Sequence, residues 1–137
     1  MNNLSLNFTF QKFDSKDVSL YVLYYRLFPM SNSKIDTVKK YVALRAQGKN
    51  AVDSLMELFN SNTKVTDAHG KEHYGSDAVR AYLVQPTPTP TPKGDPTLLS
   101  DGRVLYEFTV YQLFMTWPIK AYFTMDGDQI SHIKLEK

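Results

Sequence analysis

From Arg103 to Leu135 the chain reads as strand with few interruptions, and this stretch constrains everything before it. Val104, Tyr106, Phe108, Val110 and Phe114 fall on one face. Leu105, Glu107, Thr109, Tyr111, Leu113 and Met115 fall on the other, since successive strand side chains alternate. Trp117-Pro118 predicts a break, Ile119 to Met125 the next strand, Asp126-Gly-Asp128 a turn, and Gln129 to Leu135 a final strand. A meander of this length has one strongly apolar face, which must be covered. The second face is half apolar and is the expected dimer surface.

The cover comes from upstream. Ser33 to Gln47 predicts a helix with Ile35, Val38, Tyr41, Val42 and Arg45 on one side and Gly48 as its stop. Asn50 to Phe59 predicts a second, with Val52, Leu55, Met56 and Phe59 at helical spacing, ended by the polar run Asn60-Ser-Asn-Thr63. Val65 to His69, a turn at Gly70 and a return strand to Tyr74 make a hairpin. Gly75-Ser76 opens a third helix, with Val79, Tyr82 and Leu83 on its apolar side, and Pro86 ends it. Helices grouped ahead of a meander give an α+β fold. Proline at every second position of Pro86-Thr-Pro-Thr-Pro-Thr-Pro92 removes ladder donors, so this run is an exposed connector or an edge strand, never a central one.

The 137 residues suit one domain, and a hydrophobic fraction of 42% is enough for a core without metal or disulfide help. With no cysteine, disulfides, zinc–thiolate sites and a cysteine nucleophile are excluded. That composition fits a reducing compartment, and a cytoplasmic location is expected. Sixteen basic and 14 acidic residues leave a charge of +2, with no Lys/Arg run to track phosphates, so nucleic acid is not an expected partner. No apolar stretch approaches the roughly 20 residues that span a bilayer, so no membrane association is expected either. Residues 1–32 read as an extension ahead of a domain at 33–137. Leu4, Leu6, Phe8 and Phe10 alternate as in a strand, and Val18 to Phe28 offers a second. Met30-Ser-Asn-Ser-Lys34 also reads as a natural beginning, and both alternatives stand.

Several motifs, taken in order, resemble the nuclear-transport-factor-2-like superfamily, in its branch of ketosteroid isomerases and SnoaL-like polyketide cyclases. They are Val38-Lys-Lys-Tyr-Val-Ala-Leu44, the helix end Leu58-Phe59, the V-x-D-x-x-G of Val65 to Gly70, Gly75-x-x-Ala-Val-Arg-x-Tyr-Leu83 and Trp117-Pro-Ile-Lys120. The resemblance runs from about Asp36 to the C-terminus. It implies a cone-shaped, curved antiparallel sheet wrapped around the N-terminal helices, with an apolar pocket, and a homodimer. It implies a small apolar ligand and cofactor-independent isomerase, cyclase or dehydratase chemistry.

Residue by residue, Asp67 matches the family's general base and Tyr41 its oxyanion-hole tyrosine. A carboxylate beside an apolar wall has its pKa raised toward a useful value, and a buried tyrosine hydroxyl needs a partner. The third position of the pattern is an acid kept protonated. Here Pro118-Ile119 is followed by Lys120, a departure that puts steroid isomerisation in doubt. Lys120 can stabilise an oxyanion or pair with Asp67. The alternation Ile119, Ala121, Phe123, Met125 would instead send it to the opposite face. Val65, His69, Tyr106, Phe108, Trp117, Tyr122 and Phe123 are the candidate pocket lining. His69 and His73 flank the hairpin turn, where exposure is the simpler expectation; no histidine spacing suggests a metal. A non-catalytic ligand-binding or protein-interaction domain is the alternative function.

Overall fold

A computed structural model describes residues 32–137. The strands expected before Phe28 and the alternative beginning at Met30 lie outside the described residues. Helix α1 spans Ser33–Arg45, a 3-10 turn Gly48–Ala51, and helix α2 Val52–Met56. Strand β1 is Phe59–Thr66, β2 Glu72–Tyr74, and helix α3 Gly75–Leu83. Strands β3 (Pro90–Pro92), β4 (Thr97–Leu98), β5 (Val104–Gln112), β6 (Met115–Asp126) and β7 (Gln129–Glu136) follow.

All strands join one seven-stranded sheet in the order β2-β1-β7-β6-β5-β3, with β4 also on β5. The pairing is antiparallel except between β1 and β7, which run parallel. Register shifts between Phe59 and Lys64 on β1, and between Thr124 and Met125 on β6, are bulge-type irregularities that bend strands. The proline run supplies β3 at the sheet edge, as its missing donors require. Among the described residues no helix is long and apolar enough to cross a membrane.

The register explains the core. Val104, Phe123, Ile133 and Val65 stand side by side across β5, β6, β7 and β1, and all are buried. Val38, Leu55, Val79 and Leu83 from the helices close over this row. Arg80 Nη1 meets Asp53 Oδ1 at 2.7 Å, an exposed pair joining α3 to α2. The next row is Tyr106, Ala121 and Leu135, all on the same concave face.

Three local expectations fail for physical reasons. Asn60 to Thr63 is strand, not a break. Asn60 Nδ2 bonds Asp126 Oδ2 at 3.1 Å, and Phe59 pairs with Ile130, so tertiary pairing overrides turn-forming side chains. Asn50 lies in the 3-10 turn, not at a helix cap, and α2 ends three residues before Phe59. Trp117-Pro118 sits inside β6. There Pro118 faces Thr109 of β5 and lies beyond Lys120, the last β6 residue paired with β7, so no strand on the β7 side calls for its missing donor.

The actual reversal is at Leu113-Phe114, with φ of 55° and 63° and Phe114 92% exposed. Phe114 therefore does not share the face of Tyr106. A two-residue hairpin loop with both φ positive favours Asn-Gly, and each bulky residue there costs about 1–2 kcal/mol. The double substitution Leu113→Asn, Phe114→Gly is expected to raise unfolding free energy by about 2 kcal/mol in urea titration. Unchanged or lower stability would show that the reversal lies elsewhere.

Candidate functional site

The hairpin from β1 to β2 is built around Asp67. Its backbone N–H donates to the Lys71 carbonyl (2.9 Å), and its carbonyl accepts from Gly70 N–H (2.9 Å). Its Oδ1 accepts from the backbone N–H groups of His69 and Lys71 at 2.9 and 3.0 Å. Gly70 sits at φ +85°, where a side chain would be strained. The remaining oxygen, Oδ2, lies 3.1 Å from His73 Nε2.

His73 reaches Asp67 because it faces Val65 across the β1–β2 ladder, which makes Asp67 its diagonal neighbour on the same side. The two side chains are largely covered, with 16% and 17% exposure. The His73 ring lies against Tyr82 of α3, with centroids 4.8 Å apart. Arg45, at the end of α1, places its guanidinium over the Tyr82 ring at 5.7 Å and donates to the Leu83 carbonyl at 2.9 Å. Arg45 also lies against the Tyr41 hydroxyl, one turn back on α1. A string of contacts thus runs from Asp67 through His73, Tyr82 and Arg45 to Tyr41.

Burial raises the Asp67 carboxyl pKa, but hydrogen bonds from His73 and from the His69 and Lys71 backbones outweigh it, so the net shift is downward. An ionised carboxylate only accepts hydrogen bonds, so Nε2 of His73 carries the proton. When the ring is neutral, Nδ1 is the nitrogen with the free lone pair, and it has no hydrogen-bond partner among the described residues. Tyr41 packs edge-on against Phe59 and Phe123, at 6.1 and 5.3 Å. Burial pushes its pKa up to about 12, with Arg45 working against the rise. Guanidinium is a donor only, so contact with Arg45 leaves the Tyr41 O–H free to donate.

The Tyr41 shift has a consequence at high pH. A raised pKa stabilises the fold fully below the unfolded value of 10.0 and loses that contribution as pH rises through about 12. Wild-type protein is expected to lose about 2 kcal/mol more than Tyr41→Phe between pH 10 and 12. Tyr82 and Tyr106 are also raised by burial, but they are common to both proteins and cancel in the difference. Equal losses in denaturant titrations at the two pH values would contradict the burial of this hydroxyl.

The other candidates scatter. Val65 and Phe123 lie in the closed core row, and Tyr106 and the half-buried Phe108 line the concave face above it. Trp117 is opposite Val110 near the hairpin tip, with its Nε1 donating to the Gln112 carbonyl at 3.2 Å and Lys137 over its ring. His69 is exposed in the turn and contributes only its backbone. Tyr122 alternates with Phe123 and lies on the convex face, beneath the Arg103 guanidinium at 4.8 Å. It does not line the concave side. Lys120 is exposed on the convex face as well, between Glu107 and Glu136 in the ladder, and is not brought to Asp67. His132 bonds Thr66 at 2.9 Å, also off the concave side. Among the described residues no cluster of three or more His, Asp or Glu side chains could hold a metal ion.

No family model matches the chain, and no curated protein matches it in sequence. Solved structures do match. A cystatin-fold protein from Novosphingobium aromaticivorans superposes with a TM-score of 0.63 at 17% identity, over 76% of this chain and 97% of that one. A protein designated a polyketide cyclase from Sinorhizobium meliloti gives 0.63 at 21% identity, over 74% and 94%. A steroid delta-isomerase from Pseudomonas aeruginosa gives 0.64 at 15% identity, over 77% and 79%. The described chain has the nuclear-transport-factor-2-like, cystatin-type α+β fold that these proteins share.

Proposed function

We propose that this domain transfers a proton next to the carbonyl group of an apolar small molecule, as an isomerase, cyclase or dehydratase does, with Asp67 and His73 as its acid–base centre. One observation carries the reading: a covered carboxylate with one oxygen committed to two backbone donors and the other aimed at a histidine. Asp67 holds the ring and its tautomer. His73 Nδ1 takes the proton from the carbon beside the carbonyl, the C–H electron pair moves into an enolate, and the same nitrogen returns the proton to carbon. Tyr41 stays protonated across the working range and suits a developing oxyanion. Lys120 has no part in this reading. The names of two structural neighbours, a steroid delta-isomerase and a designated polyketide cyclase, are in keeping with this chemistry.

The test is exchange of the C1 protons of 2-tetralone in deuterated buffer, followed by proton NMR. Acceleration by wild-type protein that is lost in His73→Gln supports the reading. Binding of the ketone without exchange would instead make the domain a non-catalytic ligand binder.

A further inference from the structure

The β5–β6 hairpin runs on past the rest of the sheet. Strand β7 leaves β6 at Lys120, and β3 leaves β5 at Val110, which faces Trp117. Beyond that pair, Tyr111 meets Thr116 and Gln112 meets Met115, and among the described residues no third strand lies beside them. The free end is apolar. Leu113 is 78% exposed, Tyr111 66% and Met115 55%, next to the almost bare Phe114. Leu113 and Phe114 hold left-handed backbone, which bulky side chains adopt only at a cost. Strain of this kind persists where it serves a purpose, and here its product is two large apolar side chains held out in water. No carboxylate occurs in the sequence from Phe108 to Met125. The Lys137 ammonium sits over the Trp117 ring at 5.0 Å, at the base of the tip. The nearest carboxylates in the ladder, Glu107 and Glu136, stand behind it on either side of Lys120.

We propose that residues 111–117 dock this domain on a bilayer surface carrying anionic headgroups, with Leu113 and Phe114 entering the acyl boundary. Shape and charge both favour lipid over protein. A stable protein–protein contact takes about 20–30 residues a side, closely matched in shape. A single projecting turn supplies far fewer, whereas lipid closes around a protrusion of any outline. Tyr111 and Trp117, rings with one polar edge, stand behind the purely apolar pair. That is the order in which side chains meet the headgroup and acyl layers. With no carboxylate on the tip, anionic headgroups meet no repulsion there, and Lys137 adds attraction. Spanning a bilayer takes roughly 20 apolar residues, but an interfacial anchor needs only side chains that reach the acyl boundary. The expectation of no membrane association, drawn from segment length, therefore does not extend to this tip. Docking of this kind is independent of the proton-transfer site.

Trp117 is the single tryptophan of the chain, so its emission reports the tip alone. The test titrates the full chain with vesicles of phosphatidylcholine, and of phosphatidylcholine mixed with phosphatidylglycerol, following Trp117 emission and co-sedimentation. A blue shift is expected, with about fivefold tighter partition into the anionic vesicles, the effect of one lysine near the surface. The double substitution Leu113→Asn, Phe114→Gly is expected to weaken partition about a hundredfold, because two large apolar side chains no longer leave water. Its melting temperature is expected at or above wild type, which separates lost docking from lost structure. Tyr74→Ser removes a comparably exposed ring from β2, at the far edge of the sheet, and is expected to leave partition unchanged. Failure to bind either vesicle overturns the proposal. So does binding that survives the double substitution or leaves Trp117 emission unmoved, since another part of the chain is then the anchor. Equal partition into the two compositions overturns the anionic assignment. Indifference to vesicles, with a wild-type oligomer that dissociates in the double variant, overturns the lipid reading and gives the tip to a second copy of the chain.

Discussion

Replacing His73 with glutamine is expected to slow exchange of the 2-tetralone C1 protons by about 10²–10⁴-fold, the usual contribution of a positioned acid–base group. Glutamine can keep a side-chain N–H directed at Asp67 Oδ2 and fill much of the space against Tyr82. It has no group that takes up a proton at neutral pH, so the substitution removes the chemistry and spares the hairpin. Asp67→Asn is expected to cost less. Its side-chain oxygen can still accept from the His69 and Lys71 backbones, but the other position becomes an amide donor facing Nε2. The ring is then driven to the other tautomer, which places its proton on the nitrogen that should be free. If Asp67→Asn proved the more damaging and His73→Gln kept wild-type rates, Asp67 would be the base itself, and the histidine merely its neighbour. Melting temperatures of both variants separate lost chemistry from lost structure.

Much of this arrangement was legible in the sequence, and the parts that were not share a cause. Helix α1, the hairpin, α3 and the edge placement of the proline run follow from periodicity, glycine and proline, which act within a few residues. Alternation likewise put Ile119, Ala121 and Phe123 on the buried side and turned Lys120 away. His73 was harder. Its face depends on the register across the turn, and only the pairing of Val65 with His73 brings the ring to Asp67. An acid and a histidine six positions apart around a short glycine turn is the signal that could have found it. Arg45 and Tyr82 join the site because the end of α1 meets α3, a tertiary fact that no one-dimensional spacing encodes. The β5–β6 reversal was misplaced because Leu113-Phe114 carries none of the usual turn residues, whereas Trp117-Pro118 carries one of the strongest.

That misplacement gives a second test of large expected effect, using two residues of the same type. Phe123 lies 1% exposed between Val104 and Ile133 in the closed row, with the Tyr41 ring edge-on at 5.3 Å. Phe123→Ala removes a full aromatic ring from a site closed on both sides, and such changes cost about 3–5 kcal/mol because the cavity collapses only in part. Phe114 stands in the reversal, 92% exposed and at positive φ, so Phe114→Ala removes almost no burial and is expected to stay within about 0.5 kcal/mol of wild type. Had the strand run straight through to Met115, as alternation alone suggests, Phe114 would share the face of Tyr106 and cost as much as Phe123. Urea titration of the two variants therefore reads the register of the hairpin directly. A loss at Phe114 comparable to that at Phe123 would mean that the reversal is misplaced. The rows across the concave face would then have to be redrawn.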